Sequence, residues 1–232
     1  MSDIAVCTLG LSPVILTEFI MGLDDRGVEV DKAIAVVTEK SRLSYNALEI
    51  AFKYSESADK YPDLINYHNI RDLSDVDLRP YEIDVEDILS EKDSKSYRVR
   101  FNTALRTALK WAGNNPDKIH VCVAGGRKTM PIDATLVCMA RGVSNVYHVI
   151  APKEPGISRE FSDLIACKRQ EICGIEKDEF IKLLEEKNAV NEKFIECILK
   201  ICYPSKDLEF KLIKFPIPKL PNNIRREISQ NL

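Results

Sequence analysis

Two cations and a hydroxyl stand on consecutive residues, Arg127, Lys128 and Thr129, directly after the pair Gly125-Gly126 and before Met130-Pro131. The apolar run Lys118 to Ala124 precedes them and a helix-like segment, Ile132 to Arg141, follows, so they occupy a strand-to-helix turn. Cations are disfavoured at the positive end of a helix dipole. An arrangement that costs stability without structural gain points to an anionic partner, although surface lysines can also splay into solvent. The two glycines would let the backbone approach such a ligand closely, with free N–H groups at the helix start facing it. A second turn of this kind is Thr8-Leu9-Gly10-Leu11-Ser12-Pro13. Proline suits the first helical position and disfavours the α conformation for the residue before it, so Ser12 is expected as the N-cap with its hydroxyl at the same edge. Capping alone is the plainer reading of Ser12.

Both turns need a scaffold, and the periodicity supplies one. Residues 4 to 9 form an apolar run ended by Gly10, as in a strand buried on both faces. From Pro13 the period changes: Leu16, Ile20 and Leu23 share one helical face, and the helix stops between Gly22 and Gly27. A second buried strand is predicted over 32–38, a helix over 41–54, a strand over 64–70, a helix over 96–112 and a strand over 146–151. The stretch 71–94 is acidic and weakly periodic and receives no assignment. Strands alternating with helices predict an α/β fold, a Rossmann-like, doubly wound parallel sheet. Residues 152–158 carry two prolines and a glycine and read as a linker before a small, mostly helical region over 159–232, in which 208–215 is strand-like. The reading is therefore one ligand-binding domain over 1–151 and a second region of unassigned role.

Composition narrows the function classes. With 45% hydrophobic and 30% charged residues the chain reads as an ordinary globular protein. Met1-Ser2-Asp3-Ile4 runs into the first strand without a basic segment, and no apolar run approaches the roughly 20 residues that span a bilayer. A cytoplasmic protein without membrane contact is expected. The net charge of −3 makes any anion site local. Cys7, Cys122 and Cys138 fall in strongly apolar segments and read as reduced core residues, and none of the seven cysteines belongs to a Cys-x-x-Cys pair.

Common phosphate motifs do not fit. A P-loop needs glycine directly before lysine, whereas Arg127 separates Gly126 from Lys128; a dinucleotide fingerprint needs three spaced glycines, and the first turn has only Gly10. Taken together and in this order, however, Thr8-Leu9-Gly10-Leu11-Ser12-Pro13 and Ala124-Gly125-Gly126-Arg127-Lys128-Thr129-Met130 resemble the CRISPR-associated Rossmann fold, or CARF, domain over residues 1–151. The resemblance implies a homodimer that binds a cyclic oligoadenylate, most often cyclic tetra-adenylate, across its two-fold axis.

Many CARF proteins carry a nuclease marked by an Arg followed by a His on a helix, with four to six residues between them. Here Arg141 and His148 alone have such a spacing, and they straddle Gly142 at a helix-to-strand junction, so they are rejected as that motif. Residues 159–232 hold 14 Lys and Arg against 13 Asp and Glu, too balanced for a DNA-binding tail. What remains is similar to the CRISPR ring nucleases, which cut the cyclic messenger to linear di-adenylate with a 2′,3′-cyclic phosphate and need neither metal nor cofactor. The resemblance implies Ser12 and Lys128 as catalytic residues, with Gly10, Leu11, Gly125, Gly126, Arg127, Thr129 and Met130 around the ligand. Lys168-Arg169 could reach over it as a lid or form a solvated helix face, and Tyr147 could stack on adenine or belong to the core. Two other readings stay open: a sensor or transcriptional regulator that binds the ring intact, and an effector ribonuclease with its active residues in 159–232.

Overall fold

The computed structural model describes residues 3–151, 156–187, 191–207 and 209–230. The chain opens with β1 (Asp3–Thr8), α1 (Val14–Asp24), β2 (Val30–Thr38), α2 (Arg42–Tyr54), α3 (Pro62–Tyr67) and β3 (Asp77–Ile83). A long helix, α4 (Glu91–Trp111), then leads to β4 (Ile119–Cys122), α5 (Thr129–Arg141) and β5 (Asn145–Ile150). The remainder forms α6 (Gly156–Ile165), a hairpin of β6 (Glu171–Ile172) and β7 (Ile175–Glu176), α7 (Lys177–Glu186), α8 (Glu192–Cys202), β8 (Lys211–Lys214) and α9 (Asn222–Gln230). Six strands make one sheet in the order β3-β2-β1-β4-β5-β8. Neighbours are parallel from β3 to β5, and β8 joins β5 antiparallel, so the expected parallel sheet ends in one reversed strand.

Helices cover both faces because the strands alternate between two apolar sets. Ile4 and Val6 of β1 pack with Tyr97, Phe101 and Leu105 of α4 and Val137 of α5. Ala5 and Cys7 point the other way, to Leu16 and Phe19 of α1 and Ala47 and Leu48 of α2. Phe194, Ile198, Leu199 and Tyr203, on and just after α8, belong to this second set, so the 159–232 region shares the core of the sheet instead of building its own.

Several expectations change. Residues 64–70 form no strand: Pro62 starts a short helix, α3, and Leu64 is fully buried. The missing strand is β3, inside the acidic stretch, where it lies at the sheet edge with Arg79, Pro80 and Glu82 exposed. An edge strand need not alternate, and proline is tolerated there. Helix α6 begins at Gly156, within the expected linker, whose residues 152–155 lie outside the described residues. The helical region is broken by a hairpin turning at Cys173-Gly174, both at positive φ. Cys7, Cys122 and Cys138 are buried and free, but Cys173 and Cys197 form a disulfide. Their Cα atoms lie 6.0 Å apart because the turn leans on α8, which suits the bond. Among the described residues no helix is long and apolar enough to cross a membrane.

Candidate anion-binding site

The strand order reverses between β1 and β4, and in open α/β sheets ligands bind beyond the carboxyl ends of the strands at such a point. A cavity of about 530 Å3 opens there, lined by Leu9, Gly10, Leu11, Gly126, Arg127 and Met130 from the two expected turns. Thr38 at the end of β2 and Lys40 and Ser41 just after it line it as well, with Asp87 after β3 and Lys168 after α6.

The two expected turns touch each other. Thr8 Oγ1 donates to the Gly125 carbonyl at 2.9 Å, and a Cβ on Gly125 would collide with the Thr8 carbonyl oxygen. A Cβ on Gly10 would sit 2.7 Å from the Gly126 nitrogen. Gly126 adopts φ +89°, under the Met130 thioether, whose sulfur accepts from Arg127 N–H at 3.2 Å. Gly10, Gly125 and Met130 thus hold one loop against the other, and Gly126 supplies the left-handed turn.

Ser12 differs from the expectation. Pro13 already has helical angles (φ −68°, ψ −30°) and takes the N-cap position, so Ser12 precedes the cap. Its Oγ lies 2.8 Å from Ser158 Oγ, and Ser162 Oγ donates to the Leu11 carbonyl at 3.3 Å. The first turn is therefore clasped by α6.

At the second turn Arg127, Lys128 and Thr129 are exposed, with Lys128 at the N-cap position of α5 in helical conformation. Arg127 does not splay. Its Nε lies 2.9 Å from both carboxylate oxygens of Asp87, and a terminal nitrogen donates to Asp87 Oδ2. Lys40 Nζ joins the same oxygen at 3.1 Å. The Arg127 hydrogen bonds, helped by Lys40, hold the Asp87 carboxyl well below the usual carboxylate range against a smaller opposing effect of burial. No partner is found for the Lys128 ammonium among the described residues.

Lys40 and Asp87 escaped the sequence reading. The signal for Lys40 is its place in Thr38-Glu39-Lys40-Ser41, a third turn at the same sheet edge. There Ser41 Oγ accepts from Thr38 N–H at 3.0 Å, and Glu39 and Lys40 N–H groups donate to the Val85 and Glu86 carbonyls at 3.2 and 3.3 Å. Asp87 had no signal, because β3 itself was unassigned.

Lys168 stands in a turn after α6, not on a helix face, and lines the cavity while pairing with Asp163 at 3.7 Å; Arg169 pairs with Glu160 at 3.5 Å. Tyr147 is buried beside Phe19 and His120, on the sheet face covered by α1, so it takes the core role. Among the described residues no group of three or more His, Cys, Asp or Glu could hold a metal ion.

No curated protein matches the sequence. The family model for CRISPR-associated protein NE0113 (Cas_NE0113) matches residues 12–196, from Ser12 at the end of the first turn through the turns after β2 and β4 and into α8. With most of its length covered, the chain belongs to the CRISPR-associated protein NE0113 family.

Proposed function

We propose that the protein binds a cyclic oligoadenylate, cyclic tetra-adenylate in first place, and cleaves it as a metal-independent ring nuclease that ends type III CRISPR antiviral signalling. The observation that carries this reading is the cavity at the strand-order reversal, where Arg127 and Lys40 converge on a single buried carboxylate in a chain of a CRISPR-associated family. Open helix starts and cations at that edge favour a phosphate ligand. The cavity is too small for a whole four-nucleotide ring, which suits a ring shared by two copies across a two-fold axis.

Cleavage by this route is largely geometric. The ribose 2′-hydroxyl gives up its proton as its oxygen attacks the adjacent phosphorus in line, the bond to the 5′-oxygen breaks, and that oxygen takes up a proton, leaving a 2′,3′-cyclic phosphate and a 5′-hydroxyl; two such cuts turn the ring into two linear di-adenylates. Lys128, unpaired among the described residues and next to Arg127, stabilises the charge on the phosphate as it builds. Ser12 orients the ribose once its hydroxyl leaves Ser158. Incubating the protein with cyclic tetra-adenylate and excess chelator, followed by chromatography, tests this. Linear di-adenylate supports it, and an intact ring refutes it.

A second reading has its own support. Ser12 Oγ is occupied by Ser158 and the Leu11 carbonyl by Ser162, so the first turn is mechanically linked to α6. A sensor that binds the ring intact would use that link to report occupancy to the C-terminal helices. Binding without cleavage in the same assay selects it.

A further inference from the structure

The hollow beside the cavity shows what a non-ligand arrangement of charge looks like here. Glu39, Glu82, Asp84 and Glu86 surround Arg42, which pairs with Glu82 at 2.7 Å, so the acids there outnumber the cation. In the cavity the balance is reversed. Lys40 and Arg127 share one carboxylate, Asp87, which among the described residues leaves one positive charge unmatched at the cavity wall.

The donors are unmatched as well. An ammonium has three N–H donors, and among the described residues Lys40 Nζ gives one, to Asp87. A guanidinium has five, and Arg127 directs its Nε and one terminal nitrogen to Asp87, which leaves its other terminal nitrogen open among the described residues. The Asp87 side chain is only 8% exposed, whereas those of Lys40 and Arg127 are 49% and 53% exposed, so the anion lies beneath and the cations face the opening. Asp87 is itself anchored, accepting from the Ile88 N–H at 2.9 Å.

We propose that Lys40 and Arg127 form a subsite for one phosphodiester group, and that Asp87 beneath them is a positioning residue that fixes both cations and tunes the subsite to a single negative charge. This rests on the nucleotide reading given above and adds to it Lys40, from a third turn, as a ligand-contacting group. Asp87 plays two opposed parts. It holds the cations in a geometry that fits a phosphate, which favours turnover, and its own charge repels that phosphate, which weakens affinity.

The test is titration calorimetry of cyclic tetra-adenylate into the full chain, paired with single-turnover cleavage. Lys40→Ala, at an exposed position, is expected to bind about tenfold more weakly, with a shallower dependence on salt. Asp87→Asn keeps the shape and removes the charge; it is expected to bind about tenfold more tightly while cleaving more slowly, a split that simple loss of structure would not produce. Asp87→Glu restores the wild-type direction of both. If Asp87→Asn fails to fold, the Lys40→Ala affinity and salt dependence decide the matter alone. Wild-type binding that neither substitution alters overturns the subsite and keeps the nucleotide reading. A wild type that ignores the ring but binds inorganic pyrophosphate through Lys40 overturns the nucleotide reading and keeps the subsite. Binding of neither probe overturns both.

Discussion

At the turn after β1, Ser12 meets Ser158, Ser162 holds the Leu11 carbonyl, and Gly10 rests on the backbone of Gly126. At the turn after β4, by contrast, Arg127, Lys128 and Thr129 stand exposed; of the three, Arg127 lines the cavity and, among the described residues, it alone is tied, by a carboxylate. The two turns have the same place in the fold, each following a central strand. One is a joint between the sheet and the C-terminal helices, and the other is a charged surface. A hydroxyl or cation at a helix start is therefore not functional by position alone; what its polar atoms already satisfy decides.

Predictions follow from breaking each side. The largest effect is expected where the turns meet. Gly125→Val drives a side chain into the Thr8 carbonyl, which should cost about 3 kcal/mol and lower the melting temperature by about 10 °C. An unchanged melting temperature would mean that the turns do not depend on each other. On the charged side, Lys128→Ala should leave stability intact and slow cleavage by about a hundredfold, with a smaller loss of affinity. Unchanged single-turnover rates would remove Lys128 from the chemistry.

On the side of the joint, α1 carries Glu18, which is 1% exposed and has no hydrogen-bond partner for Oε1 among the described residues. Burial pushes its carboxyl from an ordinary 4.5 up to about 7. Between those values the folded chain keeps a proton that the unfolded chain releases, so stability should fall as pH rises through that window. Glu18→Gln should flatten the fall, measured by denaturant unfolding at several pH values; an identical profile would show that Glu18 does not titrate there. The smallest effect concerns the serines. Ser12→Ala and Ser158→Ala should each cost about 1 kcal/mol and be strongly non-additive in a double-mutant cycle. Equal cleavage in the two single variants would make Ser12 purely a joint, whereas a selective loss in Ser12→Ala would give it a part in the chemistry.

What the sequence revealed follows the same division. β1, β2, β4 and β5 were legible because each is a short apolar run, α4 because its apolar positions repeat at helical spacing, and α5 because the turn ending in Pro131 opens it and Gly142 closes it. β3 was hidden because its edge position leaves Arg79, Pro80 and Glu82 in solvent. The loss of β3 hid Asp87, and with it the reason for Lys40. The hairpin at Cys173-Gly174 was too short for any pattern, so its disulfide to Cys197 went unread. Arg127 was found from an argument about the helix dipole, but its partner is a long-range contact across 40 residues, which local spacing cannot show.

The central claim is that an anionic nucleotide ring occupies the cavity where the turns after β1, β2 and β4 converge. The most direct measurement is a crystal structure of the Lys128→Ala variant with cyclic tetra-adenylate, in which slowed cleavage preserves the ring. Ligand density is expected against Gly10, Lys40 and Arg127, with a phosphate between the two cations. A ring bound elsewhere, with this cavity empty, would contradict it.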